Sequence, residues 1–197
     1  GHTDKEDLES GSRAAAAGGV TSFLDMPNNS PNTINRHTLE RKISLASTKS
    51  VTHHGFFIGA TKDNIRDLQS VEGMDGVCGI KVFMGSSTGD LLVHEQDHLE
   101  NIFANTGGII ATHAEDEDRL QQRNAEFSNR TDISSHAECR DVECAFLATK
   151  RASALAKDHQ HRLHIVHLTS GKEADWLQKN KGDLITTEVC TQHLTFD

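Results

Sequence analysis

Three apolar runs carry side chains capable of polar chemistry. Lys81 lies within Gly79-Ile80-Lys81-Val82-Phe83-Met84-Gly85, His113 ends Gly108-Ile109-Ile110-Ala111-Thr112-His113, and His167 ends Leu163-His164-Ile165-Val166-His167. An unpaired ammonium among β-branched and aromatic neighbours is costly to bury, so Lys81 requires a reason. Its neutral amine can react with carbon dioxide to form a carbamate, an anionic oxygen donor able to bridge two cations. Histidines on neighbouring strands would add imidazole nitrogen, and zinc prefers this combination of nitrogen and carboxylate-type oxygen. Two zinc ions so held would retain a bridging hydroxide at neutral pH and polarise a carbonyl, which is metal-assisted hydrolysis. The alternative is that Lys81 snorkels or pairs with a carboxylate and the two histidines are hydrogen-bonded core residues. Spacing alone leaves both open.

For the three side chains to meet, their runs must be parallel strands of one sheet, which brings Lys81, His113 and His167 to its carboxyl edge. Strand-length apolar runs recur at residues 20–27, 55–60, 80–85, 109–113, 163–168 and 184–190. Helix-like stretches at 5–17, 39–46, 91–103, 138–156 and 173–178 alternate with them, which predicts repeated strand-helix units and an α/β fold. About six such units are expected, as an incomplete (β/α)8 TIM-type barrel without its first and last strands, and residues 1–197 are read as one partial catalytic barrel domain. The charged segment 115–135 is expected to be irregular, either an active-site loop or a solvated insertion.

The 197-residue chain has 35% hydrophobic residues and a formal charge of −9, with no basic stripe. This argues against nucleic-acid and anionic-membrane partners and favours a small-molecule substrate. Four scattered cysteines without a C-x-x-C pair, and no signal-like or membrane-spanning segment, predict a cytoplasmic protein. A homo-oligomer is expected.

Other candidates are weaker. His94-Glu95-Gln96-Asp97-His98 matches H-E-x-x-H, but no third ligand follows at suitable spacing. His159-Gln160-His161 precedes its strand and so belongs to the amino end of a barrel, where a polar turn is the better reading. In Asp25-Met26-Pro27-Asn28-Asn29, Asn28 either builds a turn or offers a substrate hydrogen bond. Ser86, Ser87 and Thr88 could cradle an anion through backbone N–H groups.

Taken in order, these motifs resemble the dihydroorotases of the cyclic amidohydrolase superfamily. The resemblance runs from Lys5-Glu6-Asp7 and Ala17-Gly18-Gly19-Val20-Thr21 through Asp25-Met26-Pro27-Asn28 and Gly79 to Gly89. It continues in Thr112-His113-Ala114-Glu115, His164-Ile165-Val166-His167-Leu168-Thr169-Ser170 and Glu188-Val189-Cys190-Thr191-Gln192-His193-Leu194. It implies a (β/α)8 barrel with two Zn2+ ions that hydrolyses dihydroorotate to N-carbamoyl-aspartate and runs the reverse condensation in pyrimidine biosynthesis. Lys81 would be the carbamylated bridge, His113 and His167 would hold the second metal, Asn28 would contact the substrate carboxylate, and His193 would support the rim.

The family's His-x-His pair and the arginine after it would stand before Gly1, and its acid-base Asp beyond Asp197, so no catalytic acid-base residue is expected within these residues and the chain alone is expected to be inactive. Hydantoinases and dihydropyrimidinases resemble the chain in barrel, lysine and metals but carry a gating Tyr shortly past the lysine, whereas this sequence contains no Tyr. Those enzymes are the nearest rival, and allantoinase is harder to exclude, because its discriminating contacts would lie partly outside these residues. A non-catalytic dihydroorotase-like scaffold is the reading from a different class, and the joint presence of Lys81, His113 and His167 argues against it.

Overall fold

The computed structural model describes residues 3–87 and 89–196. Gly1, His2, Asp197 and Thr88 of the anion-cradling turn lie outside the described residues.

Six strands, β1 (Ser22–Asp25), β2 (His53–Gly59), β3 (Val77–Phe83), β4 (Ile109–His113), β5 (Arg162–Ile165) and β6 (Ile185–Thr187), pair in sequential order and all in parallel. The helices are α1 (Leu8–Ala17), α2 (Arg36–Lys49), α3 (Ile65–Ser70), α4 (Gln96–Asn105), α5 (Glu117–Glu126), α6 (Ser134–Cys139), α7 (Val142–Asp158), α8 (Gly171–Asn180) and α9 (Thr191–Thr195). The result is the curled parallel wall of an incomplete TIM-type barrel, as the alternation predicts. Among the described residues no helix is long and apolar enough to cross a membrane.

Alternation along the strands gives the wall two faces. Ile58, Ile80, Val82, Ile110, Leu163, Ile165 and Ile185 point to the helix side, where Leu39, Leu99, Ile102, Phe103, Ala152, Leu155 and Leu177 meet them. Each fully buried aliphatic side chain there contributes about 1.5–3 kcal/mol. The residues between them face the concave side. Gly59, Lys81, Ala111, His164 and Thr186 are aligned across β2 to β6, and Phe83 is aligned with His113 one step nearer the carboxyl edge.

Several elements depart from the sequence expectation. The stretch after His113 is largely helical: α5 starts where the Asp116 carboxylate accepts from Arg119 N at 2.9 Å, with Glu117 and Asp118 in the first turn, and α6 follows. Leu120 is the one buried residue of α5, so the helix carries almost no periodic signal. Helix α3 is unforeseen for the same reason, with only Leu68 buried, and short α9 follows the last strand. Helix α4 begins later than expected because Leu92 bridges back to Phe83 and Val93 N donates to Phe83 O at 2.9 Å.

Gly79 is a point of close backbone approach in the wall. Its φ is +152°, and a Cβ there would lie 2.4 Å from Ile109 O and 2.6 Å from Ile109 Cγ2. Only glycine allows β3 and β4 to close at that level, two residues before Lys81. Gly79→Ala is therefore expected to destabilise the chain by about 3 kcal/mol, seen as a lower urea midpoint.

Candidate functional site

Lys81 is 2% exposed on the concave side of β3. Its Nζ donates to Val82 O at 3.3 Å and lies 4.3 Å from the centre of the Phe83 ring. No carboxylate forms an ion pair with it among the described residues. Burial drives the ammonium down to about 7 against a weaker opposing pull from Glu188. At neutral pH a large share of Lys81 is thus the free amine that carbon dioxide requires.

His113 and His167 meet at the carboxyl edge. His113 ends β4, and its Nδ1 lies 2.9 Å from His167 Nε2, with the ring centres 4.7 Å apart. His167 follows β5 with φ +41°, a left-handed backbone uncommon for a non-glycine residue, though histidine adopts it more readily than most. Burial lowers its affinity for a proton, and His113 and Lys81 add to the effect. The structure thus brings together two of the expected residues directly and the third electrostatically.

Two further side chains complete the surroundings of His113. Glu115 Oε2 lies 2.5 Å from His113 Nε2, and Arg140 Nε donates to Glu115 Oε1 at 2.8 Å while its Nη2 donates to Oε2. Burial alone would raise the Glu115 carboxyl, but the hydrogen bonds from His113 and Arg140 outweigh it and hold it at about 2. On the other side, His164 Nε2 lies 3.2 Å from Glu188 Oε2 and its Nδ1 lies 2.8 Å from Thr186 Oγ1. Glu115 and Glu188 occur in the motifs above without an assigned role. Arg140 gives no sequence signal, because it lies 25 residues beyond Glu115 in the chain.

Asn28 and His193 are not part of this cluster. Asn28 is exposed past the end of β1 and lines a cleft of about 590 Å³ between α1 and α2, to which none of Lys81, His113 or His167 contributes. The turn before it is fixed from below, because Lys42 Nζ pairs with Asp25 at 2.7 Å and donates to Met26 O at 2.8 Å. His193 is exposed in α9.

The weaker candidates resolve as structure. Glu95 caps α4, so His94 and Glu95 precede the helix and the two imidazoles do not share a helical face. The Lys62 ammonium pairs with Glu95, whose carboxylate also lies 3.6 Å from His94 Nε2 and 3.5 Å from His98 Nδ1. His161 is buried at the amino end of β5, with Nδ1 and Nε2 each 3.0 Å from the carbonyl oxygens of Arg162 and Thr106.

The donor set suits zinc in kind, since two imidazole nitrogens converge beside an amine that can become an oxygen donor. Among the described residues, no three His, Cys, Asp or Glu side chains gather in a way that could hold a metal ion.

The burial of Lys81 also sets a pH dependence. The unfolded lysine keeps its proton up to its ordinary 10.5, whereas the folded one releases it above about 7. Between these values the unfolded state binds the extra proton, so stability rises with pH. In metal-free buffer without carbon dioxide, Lys81→Met is expected to stabilise the chain below pH 7, by on the order of 5 kcal/mol for the full shift. The gain should fade towards pH 10.5, as urea denaturation across the range would show.

No protein-family model matches the sequence. Allantoinase from Deinococcus radiodurans is 34% identical over 100% of this chain and 46% of its own length. Dihydroorotase from Methanosarcina acetivorans is 31% identical over 98% of this chain and 44% of its own length. The chain thus spans a little under half the length of the curated relatives it matches. Among solved structures, the L-hydantoinase of Arthrobacter aurescens superposes with a TM-score of 0.90 at 23% identity, over 96% of this chain and 44% of that one. The dihydropyrimidinase of Brevibacillus agri NCHU1002 gives a TM-score of 0.85 at 26% identity, over 97% and 43%. With its parallel barrel wall and relatives aligned along nearly all of its length, the chain belongs to the cyclic amidohydrolase superfamily.

Proposed function

We propose that the polypeptide carrying this chain is a metal-dependent cyclic amide hydrolase whose substrate is dihydroorotate, opened to N-carbamoyl-aspartate and re-formed in the reverse direction. The observation that carries this reading is the meeting of His113 and His167 beside an almost fully buried Lys81 whose ammonium is driven down to about 7. A free amine at neutral pH can attack carbon dioxide, forming the N–C bond of a carbamate and releasing its proton to solvent. The Lys81 carbamate would then offer two oxygens, and the two histidines a nitrogen each, to Zn2+. Zinc bound there would polarise the scissile carbonyl and make water a nucleophile at neutral pH.

The chain's own residues orient this chemistry. The Phe83 ring shields Lys81 from solvent, and Glu188 supplies the negative charge felt at its amine. We assign Asn28, exposed past the carboxyl end of β1, to the substrate carboxylate, and His193, beyond β6, to support of the rim. Opening the ring breaks the amide C–N bond, and the departing nitrogen must gain a proton.

Allantoin is the second reading, supported by the 34% identity to the allantoinase of Deinococcus radiodurans. Turnover of dihydroorotate, allantoin and dihydrouracil by the natural polypeptide separates the substrates. Dihydroorotate is expected to be preferred, and a preference for either of the others overturns that choice. Lys81→Ala is expected to reduce turnover by more than about a hundredfold and to lower the bound zinc. Full activity with unchanged zinc content would remove Lys81 from the site.

A further inference from the structure

We propose that Glu115, clamped by Arg140, is a positioning residue that holds His113 in its Nε2–H tautomer and keeps the Nδ1 lone pair turned towards His167. This deepens the reading above and rests on it only in taking Nδ1 as the atom offered to a metal.

The two nitrogens of His113 have different neighbours. Nε2 lies 2.5 Å from Glu115 Oε2, and Nδ1 lies 2.9 Å from His167 Nε2. A carboxylate gripped by a guanidinium has no proton to give, so the proton between Nε2 and Glu115 belongs to the ring. In the neutral imidazole Nδ1 is then the bare nitrogen. Turning the ring over would put Cδ2 and Cε1 at the two contacts and lose both hydrogen bonds.

Glu115 is itself fixed from three directions. Arg140 donates Nε to Oε1 at 2.8 Å and Nη2 to Oε2, the same oxygen that His113 uses. The loop leaving β3 closes on its backbone, because a Cβ on Gly85 would come within 2.5 Å of Glu115 O. The next residue is tied to α7, with Asp116 N donating to Cys144 O at 3.0 Å. The Glu115 side chain is only 12% exposed, so it has little room to move away from His113. A surface ion pair would need none of this. The arrangement matches the general pattern in which a metal-binding histidine gives its second N–H to a carboxylate that sets its tautomer.

The test is a long-range 15N–1H NMR correlation of the histidine rings in the metal-free natural polypeptide, with His113 assigned by its loss in His113→Gln. The expected spectrum shows His113 protonated at Nε2 and bare at Nδ1. Glu115→Ala is expected to populate both tautomers and to weaken zinc binding by about 10–100-fold, read by competition with a chromophoric chelator. A wild-type His113 protonated at Nδ1 overturns the proposal, and this needs no variant to fold. A folded Glu115→Ala with unchanged tautomer and zinc affinity also overturns it. An Nε2–H ring in a polypeptide that takes up no zinc supports the positioning and counts against the metal reading, so the two fail separately.

Discussion

An amine held out of water on the concave face of the sheet is the constraint around which the surrounding structure is arranged. A buried ammonium without an ion-pair partner is penalised, and among the described residues no carboxylate is placed against it to relieve the penalty. Gly59 and Ala111 stand beside Lys81 in the two neighbouring strands, so small residues flank its long side chain. Phe83, two residues on, presents its ring to Nζ, and the resulting attraction is weaker than a paired charge would give. The strand thereby keeps a lysine that readily gives up its proton, which is the condition for carbamate chemistry and a poor one for stability. Such local conflicts are typical of functional sites.

The second arrangement is the brace on His113. The stretch between β4 and β5 carries α5, α6 and α7, and its ion pairs run inward. Arg119 holds Asp141 through Nε at 2.9 Å and Nη2 at 2.5 Å, while the adjacent Arg140 reaches Glu115. Asp141 also accepts from Cys144 N at 3.0 Å at the start of α7. The charged segment that follows the carboxyl edge is thus a scaffold anchored to α7. Exposed pairs of this kind add little stability singly, but a bidentate arginine fixes geometry as well as charge.

A shared barrel does not select a substrate. Relatives named for dihydroorotate and for allantoin chemistry align along the same residues at comparable identity, and the superposable structures carry hydantoinase and dihydropyrimidinase names. What the superposed structures have in common with this chain is the curled parallel wall. Discrimination among cyclic amides depends on groups that touch the substituents of the ring, since a missing hydrogen-bond partner rejects the wrong substrate far more strongly than a shape change does.

Strand order and parallel pairing were legible in the sequence, whereas Lys81 stands level with Ala111 and His164, two residues deeper in the wall than His113. A run of β-branched residues interrupted by one polar side chain and repeated between helical stretches leaves little choice of fold. Helices α3, α5 and α9 were not legible, because a short or mostly polar helix carries no 3.6-residue apolar period and is held by caps and neighbours. The decoys at His94 and His161 were settled by where α4 begins and by which carbonyls surround the ring, both tertiary facts. The sequence by itself determined that these runs are strands of one parallel sheet and that Lys81 and His113 lie in them, because strand periodicity is local. Only the tertiary structure decided that Lys81 is buried with no carboxylate paired to it among the described residues and that Arg140 reaches back to Glu115 behind His113. Burial and long-range hydrogen bonds are properties of the packed chain, and no spacing along it encodes them.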